Sequence, residues 1–269
     1  MRFSLIRLWR ERRLRRAFEP LRVRLQEELS QALAYRCEVV PASGKGGYDR
    51  LFYVEKGGRR MAMMRVKNQQ AGEPTPVVTE GLRRALTADE RLAHEWSAYA
   101  ALSTQNLSPK PLWRTEAAIV CSYHPFARVA ACLKADGAQV WQLLPRVCAL
   151  VRAMHAMQIV HMDLNLGNIL VDPQSDQMML IDFEYAPVAG LSFADACRCD
   201  YLRVINDFLR PRRGGRELQK DFTRFVTLLQ HEVPATLAGG SDRPLCAHFP
   251  HIAREARSRQ AMEALLGVR

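Results

Sequence analysis

His161-Met162-Asp163-Leu164-Asn165-Leu166-Gly167-Asn168 is the stretch that decides the reading of this chain. The apolar run Ile169-Leu170-Val171 follows it at once. A second apolar run, Met178 to Ile181, ends in Asp182-Phe183-Glu184. The two runs are short and bounded by Asp172-Pro173-Gln174-Ser175-Asp176-Gln177, a composition typical of turns, so they are expected to pair as a hairpin. Asp163 then sits on a loop, the amide of Asn168 lies five residues on, and Asp182 stands across the hairpin. Two carboxylates and an amide are brought to one place by rigid flanking strands.

Phosphoryl transfer needs that set: a carboxylate at the acceptor hydroxyl, oxygen ligands that hold Mg²⁺ on the phosphates, and rigid elements beneath both, because catalysis there is mostly positioning and charge stabilisation. The stretch resembles the catalytic loop and metal-binding motif of the protein-kinase-like fold. The resemblance implies that Asp163 is the catalytic Asp, that Asn168 and Asp182 hold Mg²⁺, and that His161 is the structural histidine of the loop. An isolated His-x-Asp would mean little more than a capped turn. The full loop, the hairpin and the second Asp together are far more specific.

The rest of the family pattern can be sought upstream. Cys37–Ala42, Leu51–Glu55 and Met61–Lys67 read as strands, with Gly57-Gly58 as a two-residue hairpin turn. Between the first two strands lies Ser43-Gly44-Lys45-Gly46-Gly47. In a kinase-like protein such a loop covers the phosphates of ATP with backbone N–H groups, which makes Gly44, Gly46 and Gly47 candidates. Lys67, at the end of the third strand, matches the lysine that holds the α- and β-phosphates. Residues 69–81 read as a loop, with Pro74 and Pro76 as breakers. Thr87-Ala88-Asp89-Glu90 fits a capping box and starts a helix whose apolar face is Leu92, Trp96 and Tyr99. Glu95 on that helix matches the partner of the lysine. Tyr123 and His124, at the end of the strand Ile119–Tyr123, take the place of the adenine-binding hinge.

Downstream, Val140–Met154 reads as a helix that Pro145 should kink or restart. Leu218, Phe222, Phe225, Val226 and Leu229 fall on one helical stripe. The fold class expected is therefore α+β and two-lobed. A basic helical extension over 1–36 precedes a small strand-rich lobe over 37–123, and a larger helical lobe spans 124–269.

Three departures separate the chain from eukaryotic-type protein kinases. Met162 replaces the Arg that reads activation-loop phosphorylation, Glu184 replaces the Gly after Asp182-Phe183, and Ala186-Pro187-Val188 comes too early to end an activation segment. The sequence is similar instead to the small-molecule branch, which includes choline kinases and aminoglycoside phosphotransferases. Within that branch it most resembles the bacterial lipopolysaccharide core kinases, which phosphorylate Kdo or heptose. The likeness rests on Asp163-Leu164-Asn165, Asn168-Ile169-Leu170 and Asp200-Tyr201-Leu202-Arg203. It implies ATP and Mg²⁺ as cofactors, an anionic sugar or glycolipid as acceptor, and work at the inner face of the cytoplasmic membrane. Another small-molecule kinase, a protein kinase and a nucleotide-binding pseudokinase are the alternatives.

Composition agrees with this class without selecting it. The chain has 269 residues and a net charge of +11, which favours anionic partners. No nucleic-acid recognition motif appears. Seven cysteines lack framework spacing, so reduced thiols in the cytoplasm are expected. No apolar run reaches the roughly 18 residues of a membrane span. Arg7, Arg10, Arg12, Arg13, Arg15 and Arg16 crowd a helical stripe of Leu14, Phe18, Leu21, Leu25 and Leu29. That helix either lies on an anionic membrane surface, with Phe3 and Trp9 dipping in, or packs on its own domain.

Overall fold

The computed structural model describes residues 18–42, 49–67, 78–79 and 81–268. Gly44, Gly46 and Gly47, and the N-terminal arginines with Phe3, Trp9 and Leu14, lie outside the described residues. The chain order begins with α1 (through residues 18–32), β1 (Glu38–Pro41), β2 (Arg50–Lys56), β3 (Arg59–Val66), β4 (Val78–Thr79), β5 (Arg83–Ala85) and α2 (Ala88–Leu102). There follow β6 (Pro111–Arg114), β7 (Ala118–Ser122), β8 (Ala127–Arg128), α3 (Val129–Ala135), α4 (Val140–Ala156), β9 (Ile169–Val171), β10 (Met178–Leu180) and β11 (Tyr185–Pro187). The chain continues with α5 (Phe193–Phe208), α6 (Arg216–Lys220), α7 (Phe222–Glu232), α8 (Pro250–Ala253) and α9 (Ala256–Leu266). It separates into two compact units, Met1–Ala71 with Pro111–His124, and Gly72–Lys110 with Pro125–Arg269.

The first unit is built on an antiparallel sheet in the order β1-β2-β3-β7-β6. Gly57 and Gly58 turn β2 into β3 with φ of 56° and 75°. Positive φ at both central residues is what a type I′ hairpin demands and what glycine supplies without steric cost. One face of the sheet buries Val39, Phe52, Val54, Met64, Val66 and Val120. Phe18, Leu25 and Leu29 of α1 pack into the same cluster. Fully burying each such side chain contributes about 1.5–3 kcal/mol. The 18–32 part of the N-terminal helix is thus an integral layer of this unit, its apolar stripe being spent on the sheet.

The second unit is mainly helical, with two small antiparallel sheets, β10-β9-β8 and β11-β5-β4. The capping box forms as the sequence predicts: Glu90 N–H donates to Thr87 Oγ1, and Thr87 N–H donates to the Glu90 carboxylate. α2, expected within the first lobe, belongs by its packing to this unit. Trp96 is only half-buried, while Leu92, Glu95, Ala98, Tyr99 and Leu102 form the buried face.

Three other expectations are corrected. α4 runs unbroken from Val140 to Ala156 through Pro145. One missing backbone hydrogen bond is outweighed by the burial of Leu143, Leu144, Val147, Leu150, Val151 and Met154. The stripe from Leu218 to Leu229 is two helices, because Asp221 leaves helical geometry (φ −132°, ψ 67°) and caps Arg224 N–H. The 69–81 loop contains β4, which pairs with β5.

Candidate active site

The hairpin β9–β10 pairs Val171 with Met178 and Ile169 with Leu180. Its turn closes through Asp172 N–H to Gln177 O at 3.0 Å. Ile181 N–H donates to Asn168 O at 3.0 Å, so the residue before Asp182 is bonded directly to the end of the loop. That backbone bond is why residues fourteen apart in sequence become neighbours.

Inside the loop the polar side chains are cross-tied. Asn168 Nδ2 donates to Asp163 O at 3.1 Å, and Asn165 Nδ2 does the same at 3.1 Å. Asn165 Oδ1 accepts Gly167 N–H at 2.8 Å. His161 Nδ1 accepts Asp163 N–H, so Nε2 carries the ring proton and donates to Ile181 O at 2.9 Å. The ring lies 4.4 Å from that of Phe183. His161 is therefore a fully buried strut between the two halves of the site, as the sequence implies.

Sequence reading missed what holds the loop from below. Asp200 of α5 is fully buried and accepts His161 N–H and Met162 N–H, each at 2.8 Å, and faces His155 Nε2 at 3.1 Å. Seven residues on, Asp207 accepts Leu166 N–H at 2.9 Å. Arg210 Nε stands 2.8 Å from Asp207 Oδ1, and Arg213 pairs with its Oδ2. Positions 200, 203 and 207 share one helical face. That face clamps the catalytic loop at both ends. Between the clamps Met162 has φ of 61° and is buried. A left-handed conformation costs a non-glycine residue about 1–2 kcal/mol, and here the Asp200 carboxylate holds it. The sequence signal was present in Asp200-Tyr201-Leu202-Arg203, but only the fold shows which way that face points.

A second group missed by the sequence surrounds Asp163. Arg83, on β5, ion-pairs with Asp163 Oδ1 and donates to Met162 O at 3.3 Å. Arg203, on α5, brings NH1 to 3.9 Å from the same carboxylate oxygen. Arg83 reaches this place because β5 pairs with β11, directly after the Asp182 motif, with Pro187 opposite Arg83. Its guanidinium also stacks 4.1 Å from the Tyr185 ring centroid.

Glu95 is buried in α2 and accepts the Tyr99 hydroxyl at 2.6 Å. Asp182 N–H in turn donates to Tyr99 Oη at 3.2 Å, and Tyr99 meets Phe183 edge-on at 6.0 Å. α2 is thereby tied to the Asp182 motif. Asp182 itself has φ of 76°, in the region that Asp tolerates better than most residues. Beside this motif His94 is held below the usual imidazole range, first by burial and then by His161.

The donor set suits a hard cation. With its nitrogen committed to Asp163, Asn168 offers Oδ1, and Asp182 offers a carboxylate one residue beyond the Ile181–Asn168 bond. Mg²⁺ is usually held by one or two such oxygens and completed by phosphates. Among the described residues no group of three His, Cys, Asp or Glu side chains forms a metal site of its own.

In the first unit, Lys67 follows β3 and its N–H donates to Ala117 O at 2.8 Å. Tyr123 N–H donates to Met61 O at 3.1 Å, and its ring meets Tyr53 edge-on at 5.6 Å. His124 Nε2 is 2.9 Å from Ser122 Oγ, and burial holds its imidazole below the usual range. The chain leaves the first unit after His124.

Residues 111–188, which include the catalytic loop and the Asp182 motif, match the model of the Lipopolysaccharide kinase (Kdo/WaaP) family. No curated protein matches the chain significantly. Among solved structures, the chain is similar to the crystal structure of BubR1 kinase domain at 18% identity and a TM-score of 0.37, over 55% of this chain and 46% of that one. The chain thus spans less than half the length of that domain. The catalytic-type loop and the hairpin-borne second Asp both lie in the segment 111–188, over which this chain is similar to the lipopolysaccharide kinases of the Kdo/WaaP family.

Proposed function

We propose that this chain is a kinase that uses ATP to phosphorylate a sugar hydroxyl of the lipopolysaccharide core, on Kdo or heptose. The observation that carries the reading is the loop from Asp163 to Asn168, which lies within the matched segment and is braced as phosphoryl transfer requires. Asp163 accepts the proton of the acceptor hydroxyl as its oxygen attacks the γ-phosphorus. Asn165 and Asn168 hold Asp163 by its backbone carbonyl, so the carboxylate keeps its aim while its proton state changes. Asn168 and Asp182 are the Mg²⁺ ligands in this reading; the bound ion neutralises charge on the phosphates. In the pattern that the resemblance implies, Lys67 is the lysine for the α- and β-phosphates and Glu95 is the glutamate that goes with it. The glycines at 44, 46 and 47 cover the phosphates, and the backbone at Tyr123 and His124 receives adenine. These roles follow from the family resemblance and are proposals for this chain.

The short path from the metal motif to α5 favours a small acceptor. Residues 185–187 are locked as β11 against β5, Val188 N–H donates to Leu82 O at 3.2 Å, and Ser192 already caps α5. The segment between Asp182 and α5 is therefore short and largely paired. Among the described residues no helix is long and apolar enough to cross a membrane.

The test is transfer of ³²P from ATP to Kdo₂-lipid A and to a heptosylated core, with mass spectrometry of the product. Asp163→Asn should lower turnover by about 10³-fold or more with ATP affinity retained. Equal turnover in that variant would remove Asp163 from catalysis. Absence of transfer to either core acceptor, with transfer to an aminoglycoside or choline, would move the substrate elsewhere in the small-molecule branch.

A further inference from the structure

We propose that the Tyr99 hydroxyl is a positioning group for Asp182. It holds the peptide unit from which that carboxylate projects, and so sets how well the site takes Mg²⁺ with a nucleotide. The inference rests on the reading of Asp182 as a Mg²⁺ ligand.

Three consecutive N–H groups fix the chain that leads into Asp182. Leu180 N–H donates to Leu107 O at 2.8 Å, Ile181 N–H to Asn168 O at 3.0 Å, and Asp182 N–H to Tyr99 Oη at 3.2 Å. The first two acceptors are backbone carbonyls, which any residue at those positions supplies. The third is a side chain, so here the residue type matters. Tyr99 is 4% exposed and its ring meets Phe183 edge-on at 6.0 Å, a contact that phenylalanine would make as well. What tyrosine adds is the oxygen, and burying a hydroxyl is costly unless it is bonded. Glu95 Oε1, one helical turn earlier, accepts the hydroxyl proton at 2.6 Å. A phenol has one proton to give, so its lone pairs are what it offers to Asp182 N–H.

The same peptide unit is held at its other edge, where Ile181 O accepts His161 Nε2–H at 2.9 Å. α2 and the catalytic loop thus grip one peptide plane from two sides. Asp182 leaves that plane with φ of 76°, a left-handed geometry that is costly for a residue with a Cβ. Relaxation to a negative φ would change the direction of the side chain relative to the plane. With both edges bonded, turning the plane breaks two hydrogen bonds at once; without the Tyr99 oxygen it breaks one. The hydroxyl therefore keeps the carboxylate aimed. A purely structural role makes a different prediction: loss of the hydroxyl would lower stability and nucleotide affinity alike, with or without metal.

The experiment compares the wild-type full chain with Tyr99→Phe, which keeps the ring and removes the oxygen. Calorimetric titration with the ATP analogue AMP-PNP is run in Mg²⁺ and in EDTA. The variant should lose about fivefold of the affinity that Mg²⁺ adds, the scale of one hydrogen bond, with affinity in EDTA unchanged. Amide exchange followed by NMR should speed up about fivefold or more at Asp182 and stay within about twofold at Leu180 and Ile181. Should Tyr99→Phe fail to fold, exchange in the wild type decides: an Asp182 amide as protected as that of Ile181 supports the inference, and one that exchanges like an exposed loop overturns it. A Mg²⁺ gain equal to that of wild type, equal losses in Mg²⁺ and in EDTA, or equal acceleration at all three amides overturns it too. Absence of any Mg²⁺ gain in the wild type sinks the reading of Asp182 as a ligand, and the inference with it, before a variant is compared.

Discussion

Replacing Asp200 by Ala should damage both stability and catalysis, although Asp200 is not among the residues expected to touch substrate. Its carboxylate is fully buried and takes three contacts: His161 N–H and Met162 N–H at 2.8 Å and His155 Nε2 at 3.1 Å. Alanine leaves three buried donors without their acceptor. Each such loss costs about 1–3 kcal/mol, with the lower end applying where water can enter the space left behind. The sum is about 3–5 kcal/mol, a large share of the 5–15 kcal/mol typical of a whole domain. At about 2–4 °C per kcal/mol for chains of this size, the unfolding midpoint should fall by roughly 10 °C. Catalysis should suffer separately. Met162 holds its left-handed backbone against a cost of about 1–2 kcal/mol, and without Asp200 the loop is free to relax. A shift of Asp163 by about 1 Å is enough to cost on the order of 10²-fold in kcat. Scanning calorimetry and ADP release with a core acceptor measure the two effects. Asp200→Asn separates lost volume from lost acceptors, since it fills the space but turns an amide nitrogen towards a donor. A midpoint within about 2 °C of wild type and kcat within threefold would refute the clamp.

Glu90 provides a pH test: hydrogen bonding to Arg84, then to the Thr87 backbone, lowers its carboxyl from 4.5 to about 2. Its contribution is therefore present above about pH 4.5 and lost as pH falls towards 2; because the group is exposed, it amounts to no more than about 1 kcal/mol. Glu90→Gln should flatten that acid limb in a pH series of thermal melts, and an unchanged slope would argue against the cap's role. Phe225 is fully buried in α7, and Phe225→Ala should cost about 3–5 kcal/mol by chemical denaturation, whereas the half-buried Phe222 should cost much less. Gly215→Ala should be poorly tolerated, because a Cβ there would lie 2.2 Å from Leu209 O; a melt equal to wild type would show that the backbone can shift.

Sequence alone determined the parts of this protein that depend on short spacing. The catalytic loop, the β9–β10 hairpin, the Gly57-Gly58 turn and the Thr87–Glu90 capping box are each fixed by residues within about twenty positions of one another, and each is legible because local geometry demands those residue types. Tertiary structure decided the rest. Pro145 looked like a break, yet α4 runs through it because burial along the helix outweighs one lost hydrogen bond. The apolar stripe of α1 was compatible with a membrane or a sheet, and the cluster around Val39, Phe52 and Met64 takes its described part. Asp200 and Asp207 read as ordinary polar residues of a helix until loop residues 38 to 41 positions earlier were seen resting on them. Arg83 read as one arginine in a basic chain. It becomes part of the site only because β5 pairs with β11, about a hundred residues away, and no periodicity in a sequence encodes which distant strand completes a sheet.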